Sequence, residues 1–343
     1  MSQYKKMCIF QNLYDAHLAA RKGKRCKGEI IRYEMNLGPN LCILLHELEE
    51  KLYKPRGYKH FMVYEPKARS IFAPDYEDRI VQHCLCDNIV MPILEKKLIF
   101  DNAACRVGKG THFSINRLSG FMRQFHKKHG VKGYFLKCDI KKYFENINHD
   151  ILKQRLIKVF EPEVYNLLCL IINSYENTPG TGLPLGNQTS QWFALYYLDM
   201  IDRYIKEKLM IKYYVRYMDD FVLLHHDKDY LKKCLIKIQQ ICQDSLKIEL
   251  NHKTQIFPVK NGVEYLGWHF YLTTTGKVIL KLKSTNKRRL KRRIKLLQKN
   301  YKNRMINFDD VKRSLVSTNG HLILGHTYRF RTKLYRETRF IHD

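Results

Sequence analysis

The sequence predicts an α+β fold, an antiparallel sheet with helices packed on one face. Three observations carry this expectation. Two short runs, Tyr213-Tyr214-Val215 and Phe221-Val222-Leu223-Leu224, are rich in β-branched and aromatic residues and flank Tyr217-Met218-Asp219-Asp220. They predict a β-hairpin with two aspartates at its tip. A third apolar run, Gly133-Tyr134-Phe135-Leu136-Lys137-Cys138, ends at Asp139 and predicts another strand. Between and after these strands, apolar residues recur at helical spacing.

Taken in order, the first sixty or so residues are basic and mixed, and Arg21-Lys22-Gly23-Lys24-Arg25 predicts an exposed loop or arm. Gly130 breaks the chain before the strand that ends at Asp139, and Thr178-Pro179-Gly180-Thr181-Gly182 breaks it before a helix. That helix is expected from Thr189 or Ser190, with Ala194, Leu198, Ile201 and Ile205 on one stripe. A second helix fits Lys228 to Leu246, with Leu231, Leu235, Ile238 and Cys242 facing inward. The expected order is strand, helix, helix, hairpin, helix, strand. Residues 281–304 hold a dozen Lys and Arg and no acid, while Leu290, Ile294, Leu297 and Tyr301 keep helical period. This predicts a helix with one buried stripe and a cationic remainder. A charge run is usually a solvated face, but a single-signed run repels itself unless an anion compensates.

The composition points the same way. At 343 residues, 45% hydrophobic and 12% aromatic, the chain is long and apolar enough for a sizeable core. Its 62 Lys+Arg against 33 Asp+Glu give a net charge of +29. Such an excess suits a polyanion, most simply nucleic acid. No segment approaches the roughly eighteen consecutive apolar residues of a membrane span, so no membrane partner is expected. The N-terminus has no apolar core of signal-peptide length, which predicts a cytoplasmic protein. The ten cysteines form no CxxC pair and are expected to be reduced core residues.

Three carboxylates on neighbouring β elements, Asp139, Asp219 and Asp220, suit two-metal phosphoryl transfer, because adjacent carboxylates repel until a divalent cation neutralises them. Asp139 and Asp219 are the expected metal ligands, and Asp220 is a secondary charge. Asp199, Asp227 and Asp229 lack a matching partner and are expected at the surface.

The segment from Asp139 through Tyr143-Phe144-Glu145-Asn146-Ile147, followed by Gly182-Leu183-Pro184-Leu185-Gly186-Asn187-Gln188-Thr189-Ser190-Gln191 and then Tyr217-Met218-Asp219-Asp220, resembles the catalytic core of reverse transcriptases. Glu65-Pro66-Lys67-Ala68-Arg69-Ser70-Ile71-Phe72-Ala73-Pro74, Asp78-Arg79-Ile80-Val81-Gln82, and the block from Ala104 to His112 resemble the fingers of bacterial, intron-like members. Lys253-Thr254 and Glu264-Tyr265-Leu266-Gly267-Trp268 resemble the late palm and the primer-side turn. Each motif alone is weak, but the ordered set covers nearly the whole chain.

The resemblance implies a right-hand polymerase fold with an antiparallel palm sheet and a helical thumb. Its parts would be fingers with a basic N-terminal arm at 1–132, palm at 133–278 and basic thumb at 279–343. It implies two Mg²⁺ ions, with Mn²⁺ as a substitute, on Asp139, Asp219 and Asp220 and the backbone carbonyl of Ile140. Phe144 would be the steric gate against a ribose 2′-hydroxyl. Lys67 and Arg69 would contact the incoming triphosphate, with Leu185 beside the nucleotide. Lys253 would protonate the leaving pyrophosphate. Pro184, Gly186, Gln188, Ser190 and Gln191 would lie under the template base pair, and Tyr217, Gly267 and Trp268 along the primer. Lys287, Arg288, Arg289, Lys291, Arg292 and Arg293 would grip nucleic acid from the thumb.

One departure is informative. Many reverse transcriptases carry Pro-Gln-Gly at the template turn, whereas this chain has Pro184-Leu185-Gly186. Leucine cannot make the glutamine's hydrogen bond, so discrimination between right and wrong base pairs should relax. Leu185 with the following Gly-Asn-Gln-Thr-Ser-Gln resembles the reverse transcriptases of diversity-generating retroelements. So do Ser317-Thr318-Asn319-Gly320-His321 and Gly325-His326-Thr327-Tyr328-Arg329 near the end. The resemblance implies error-prone copying, at adenines, of a structured template-repeat RNA from a DNA primer and dNTPs. It also implies a small basic accessory protein oligomer as partner. The chain ends inside the expected thumb, so no RNase H, endonuclease or maturase extension is expected. Two alternatives stay open: a compact retron- or phage-defence-type enzyme, although the thumb lacks the Val-Thr-Gly usual in retrons, and a catalytically silent RNA-binding protein. His321 and His326 lack the spacing of a helical metal-binding pair.

Overall fold

In the computed structural model the described residues are 2–64 and 68–341. A 3₁₀ turn, Tyr4–Lys6, leads into α1 (Phe10–Ala20), α2 (Gly28–Met35) and α3 (Leu37–Glu49). Strands β1 (Tyr58–Val63) and β2 (Arg69–Pro74) precede α4 (Tyr76–Leu85), α5 (Met91–Leu94) and α6 (Thr111–His129). Next come β3 (Tyr134–Cys138), a 3₁₀ turn (Tyr143–Asn146), α7 (His149–Leu156), α8 (Pro162–Asn173), α9 (Gln188–Tyr197) and α10 (Asp199–Arg203). Then follow β4 (Tyr213–Tyr217), β5 (Asp220–His225), α11 (Lys228–Gln240), β6 (Gln255–Pro258), β7 (Val263–Tyr265), β8 (Trp268–Leu272) and β9 (Val278–Leu282). The chain closes with α12 (Ser284–Lys302), α13 (Phe308–Leu322) and α14 (Tyr328–Arg336).

The chain forms two compact units. The first comprises Met1–Arg106, Asp139–Met210 and Ile236–His252. It is mostly helical, with the antiparallel hairpin β1–β2. Helix α9 is buried from Thr189 to Tyr197 except at Gln191, so it is a central helix rather than a surface one. Asp78 is 2% exposed and is satisfied by Tyr53 Oη and the Arg56 amide, each at 2.7 Å. Arg21–Arg25 is the loop between α1 and α2, as expected.

The second unit comprises Val107–Cys138, Ile211–Leu235 and Lys253–Asp343. Its main sheet is antiparallel, in the order β4-β5-β3-β6, and a second antiparallel sheet runs β7-β8-β9. Central β3 is buried on both faces at Phe135 and Leu136. Val215, Val222 and Leu224 of the hairpin meet the α6 stripe of Ile115, Leu118, Met122 and Phe125, together with Trp268 and Phe270, in one core.

The expected hairpin and the order of elements are present, with α7 and α8 added between the first strand and α9. The helix expected through Ile205 is interrupted at Leu198 and ends in a π turn at Tyr204–Lys208. The basic helix starts at Ser284 rather than Lys281, because Lys281 and Leu282 pair with His269 and Trp268 in β9. All ten cysteines are reduced thiols, but only Cys84, Cys86, Cys138, Cys234 and Cys242 are buried, while Cys26, Cys42 and Cys105 are exposed. Asp199 is buried at 5% exposure, contrary to the expected surface position, and accepts from Arg203 Nε at 3.0 Å. Asp227 is exposed and starts α11 by accepting from the amides of Asp229 and Tyr230.

Candidate active site

The aspartate hairpin is a two-residue connection. Tyr217 pairs with Asp220, so Met218 and Asp219 form the loop. Met218 holds φ +56°, a conformation that costs free energy in any residue but glycine and persists only where the surroundings enforce it. Part of that enforcement is Arg216, which is fully buried and donates from Nη1 to the Met218 carbonyl at 2.8 Å. Tyr217, Met218, Asp219 and Asp220 are all half-buried. Asp220 shares its face of β5 with the core residues Val222 and Leu224, and its Oδ2 lies 3.5 Å from Lys137 Nζ. Burial, aided by the charge of Asp220, pushes the Tyr265 phenol well above its usual range, and its hydroxyl pairs with Ser114 Oγ at 2.7 Å.

Strand β3 ends at Cys138, which pairs with Phe221, and Asp139 is the next residue of the chain. In the first unit Asp139 is clamped by Asn251. The Asn251 amide donates to the Asp139 carbonyl at 2.7 Å, and its side-chain Nδ2 donates to Oδ2 at 3.1 Å. Ile140 bridges Leu250, and the Lys141 amide donates to the Glu249 carbonyl. Asn251 is therefore a partner of the candidate site residue Asp139 that sequence reasoning missed. Its only signal was its place just before Lys253-Thr254.

A second constellation lies wholly within the first unit. Half-buried Phe144 stands edge-on to buried Tyr143, with ring centroids 5.6 Å apart. Its carbonyl accepts from the Leu183 amide at 2.7 Å, and the Leu185 carbonyl accepts from the Phe72 amide at 2.9 Å. Strand β2, the Phe144 turn and residues 183–186 thus converge. Gly186 has φ +141°, and a Cβ there would stand 2.7 Å from the Phe72 carbonyl oxygen. Gly186→Ala should lower stability by about 1–3 kcal/mol and raise the KM for nucleotide. A thermal melt together with a nucleotide titration checks this, and an unchanged Tm and KM would contradict the close approach.

The remaining expected site residues fall as follows. Arg69 is exposed at the start of β2, and Lys67 lies outside the described residues. Pro184 and Ser190 are buried and Gln191 is exposed. Gln188 donates from its side-chain amide to Asp87 at 2.8 Å. Lys253 is exposed. Gly267 sits in the β7–β8 turn, where its carbonyl accepts from Asn286 Nδ2 at 3.1 Å. Trp268 is fully buried against His321, and a Cβ on Gly325 would stand 2.1 Å from its ring. The indole is thus a core anchor, and the backbone at Gly267 is what the turn presents. His326 Nδ1 accepts from the Leu280 amide. On α12, Arg288, Arg289, Lys291, Arg292 and Arg293 are exposed, and half-buried Lys287 lies over the Phe330 ring.

Among the described residues, no group of three or more His, Cys, Asp or Glu is gathered to hold a metal ion by itself. The donors offered by Asp139 and by Asp219 and Asp220 are carboxylate oxygens. That donor chemistry fits Mg²⁺, which is commonly held by one or two carboxylates together with waters and substrate phosphates rather than by an all-protein cage. No helix among the described residues is long and apolar enough to cross a membrane.

No curated protein sequence matches the chain. Among solved structures it is similar to apo telomerase from Candida tropicalis truncated from its C-terminal domain. That match has 17% identity, covers 65% of this chain and 55% of that one, and has a TM-score of 0.52. It is also similar to Candida tropicalis telomerase in complex with a TWJ fragment of telomeric RNA. Here identity is 15%, coverage 67% and 45%, and the TM-score 0.52. The chain spans about half the length of these structures, and at such identities the likeness is one of fold. It agrees with the mixed helical and antiparallel right-hand polymerase architecture. The reverse transcriptase (RNA-dependent DNA polymerase) family matches residues 65–270, more than half of the chain and a span that includes Asp139, Phe144, residues 183–186, Asp219, Asp220 and Asn251. The chain belongs to the reverse transcriptase family.

Proposed function

We propose that the protein is an error-prone RNA-directed DNA polymerase of a diversity-generating retroelement. It copies a template-repeat RNA into cDNA carrying errors at adenines, and that cDNA replaces a variable region of a target gene. The observation that supports the mutagenic reading is Leu185. Its backbone is fixed between Phe72 and Gly186, while its side chain has no group with which to hydrogen-bond a base pair or sugar.

Asp139 and Asp219 would hold the Mg²⁺ pair, or Mn²⁺ in its place, with help from the Ile140 carbonyl and with Asp220 as a secondary charge. When bound, the metals activate the primer hydroxyl and stabilise the leaving pyrophosphate. The chain's own residues do the rest. Asn251 fixes Asp139, Arg216 fixes the loop that carries Asp219, and the Phe144 ring excludes a ribose 2′-hydroxyl. Arg69 and Lys67 neutralise the triphosphate, and Lys253 supplies a proton to the departing pyrophosphate. The arginines of α12 hold the phosphate backbone.

In this reading residues 1–132 are fingers, 133–278 palm and 279–343 thumb, and the protein works in the cytoplasm. Its partners are structured template RNA, a DNA primer, dNTPs and a small basic accessory oligomer. The polymerase and this oligomer are both basic, so they need the RNA to bridge them. Leu185→Gln is expected to lower misincorporation opposite template adenine roughly fivefold, the worth of about one hydrogen bond. Sequencing cDNA from both enzymes at equal yield checks this. An unchanged adenine error rate would refute the role of Leu185.

A further inference from the structure

Lys137 was not among the residues expected to act, yet it stands between two functional elements of the second unit. It lies opposite Val222 on β3 and shares its face with Phe135, so it ends the apolar face of the sheet where the carboxylates begin. Its Nζ is 3.5 Å from Asp220 Oδ2 and donates to the Glu264 carbonyl of β7 at 2.7 Å. A lysine that merely lined the rim would keep its ammonium in water. This one is only 22% exposed and spends its donors on two separate strands. The chain of charges continues. Glu264 pairs with Lys283, the residue that leads into α12, at 2.5 Å, and with His269 at 3.9 Å. Burial opposes ionisation of Glu264, but the Lys283 bond and charge, with His269 and Lys137, carry its carboxyl below the usual range. The same β7–β8 turn is tied to α12 by Asn286 on the Gly267 carbonyl.

We propose that Lys137 is a positioning residue for polymerisation. Its ammonium holds Asp220 as a fixed, non-ligating charge and links the aspartate hairpin, through Glu264 and Lys283, to the primer-side turn and the first thumb helix. The proposal rests on the reading of Asp219 as a metal ligand. Two neighbouring carboxylates compete for any cation. A lysine fixed on one of them leaves the other to bind metal, and it lowers the negative charge that draws metals in unproductively. The link to β7 places the hairpin and the primer-side turn on one rigid frame.

The test is Mn²⁺ binding in the absence of nucleotide, read from the loss of the free-ion electron paramagnetic resonance signal, alongside kcat and primer–template KM. K137M is expected to bind Mn²⁺ roughly three- to tenfold more tightly, since a nearby positive charge is gone, while kcat falls at least about tenfold. K137R keeps the charge and should restore Mn²⁺ affinity. K137Q supplies the polar, uncharged case should K137M fold poorly. E264Q should raise the primer–template KM and leave Mn²⁺ affinity as it was. A merely structural lysine would weaken metal binding and turnover together, so Mn²⁺ affinity that is unchanged or weaker in both K137M and K137Q overturns the proposal. D219N separates the two claims. Normal incorporation by D219N sinks the active-site reading, whereas an inactive D219N beside a wild-type-like K137M sinks only the role of Lys137.

Discussion

Asp219→Asn should abolish primer extension, lowering kcat by about three orders of magnitude or more, while leaving RNA affinity and thermal stability close to the starting values. The substitution keeps the shape of the side chain and removes one negative charge. Asp219 lies in the two-residue loop, half-buried beside Asp220, and the loop is held at its Met218 carbonyl by Arg216 and at its ends by the strand register. Removing a carboxylate from a pair that repels should not destabilise the hairpin. Loss of turnover without loss of folding would therefore report on the chemistry. Single-turnover incorporation, RNA binding by anisotropy and a thermal melt make the three measurements. Undiminished extension by Asp219→Asn, or by the double Ala variant at Asp219 and Asp220, would remove these carboxylates from the active site.

Replacing Arg288, Arg289, Arg292 and Arg293 of α12 by Gln should weaken RNA binding roughly a hundredfold near physiological salt, because each lost phosphate contact also loses released counterions. The slope of log K against log salt should flatten by about 0.7–0.9 per contact, or about 3 for all four. These residues are exposed, whereas the helix is anchored by Ile294, which is 3% exposed, and by Lys287 over Phe330. Among the described residues, only Arg293 of these four has a hydrogen-bond partner on another helix, Ser314 at 3.0 Å, so loss of structure should be small. Equal salt slopes for the variant and the parent would place the RNA contact elsewhere.

Local chemistry explains what the sequence made legible. The β-hairpin, the strand ending at Asp139, the long helix after Lys228 and the basic helix all follow from period and composition, because each buries one face. The errors lie where pairing between distant residues overrides local pattern. Asp199 looked like a surface acid, but Arg203 one turn later allows it to be buried. Lys281 looked helical because its neighbours are, but cross-strand pairing with His269 claims it. Asn251 and Lys137 escaped notice because polar residues beside a motif are common, and only their partners, Asp139, Asp220 and the Glu264 carbonyl, mark them out. Trp268 belongs to a recognisable motif, but its full burial against His321 and Gly325 depends on a segment far along the chain.

The central claim, templated deoxynucleotide transfer on RNA, is tested most directly by incubating the full chain with a DNA-primed RNA template, dNTPs and Mg²⁺. Extension of the primer by the parent, none by Asp219→Asn and none after chelation of the metal is the predicted result. Tight RNA binding by the parent with no deoxynucleotide incorporation, under Mg²⁺ or Mn²⁺, would contradict it and leave the fold as an RNA-binding scaffold.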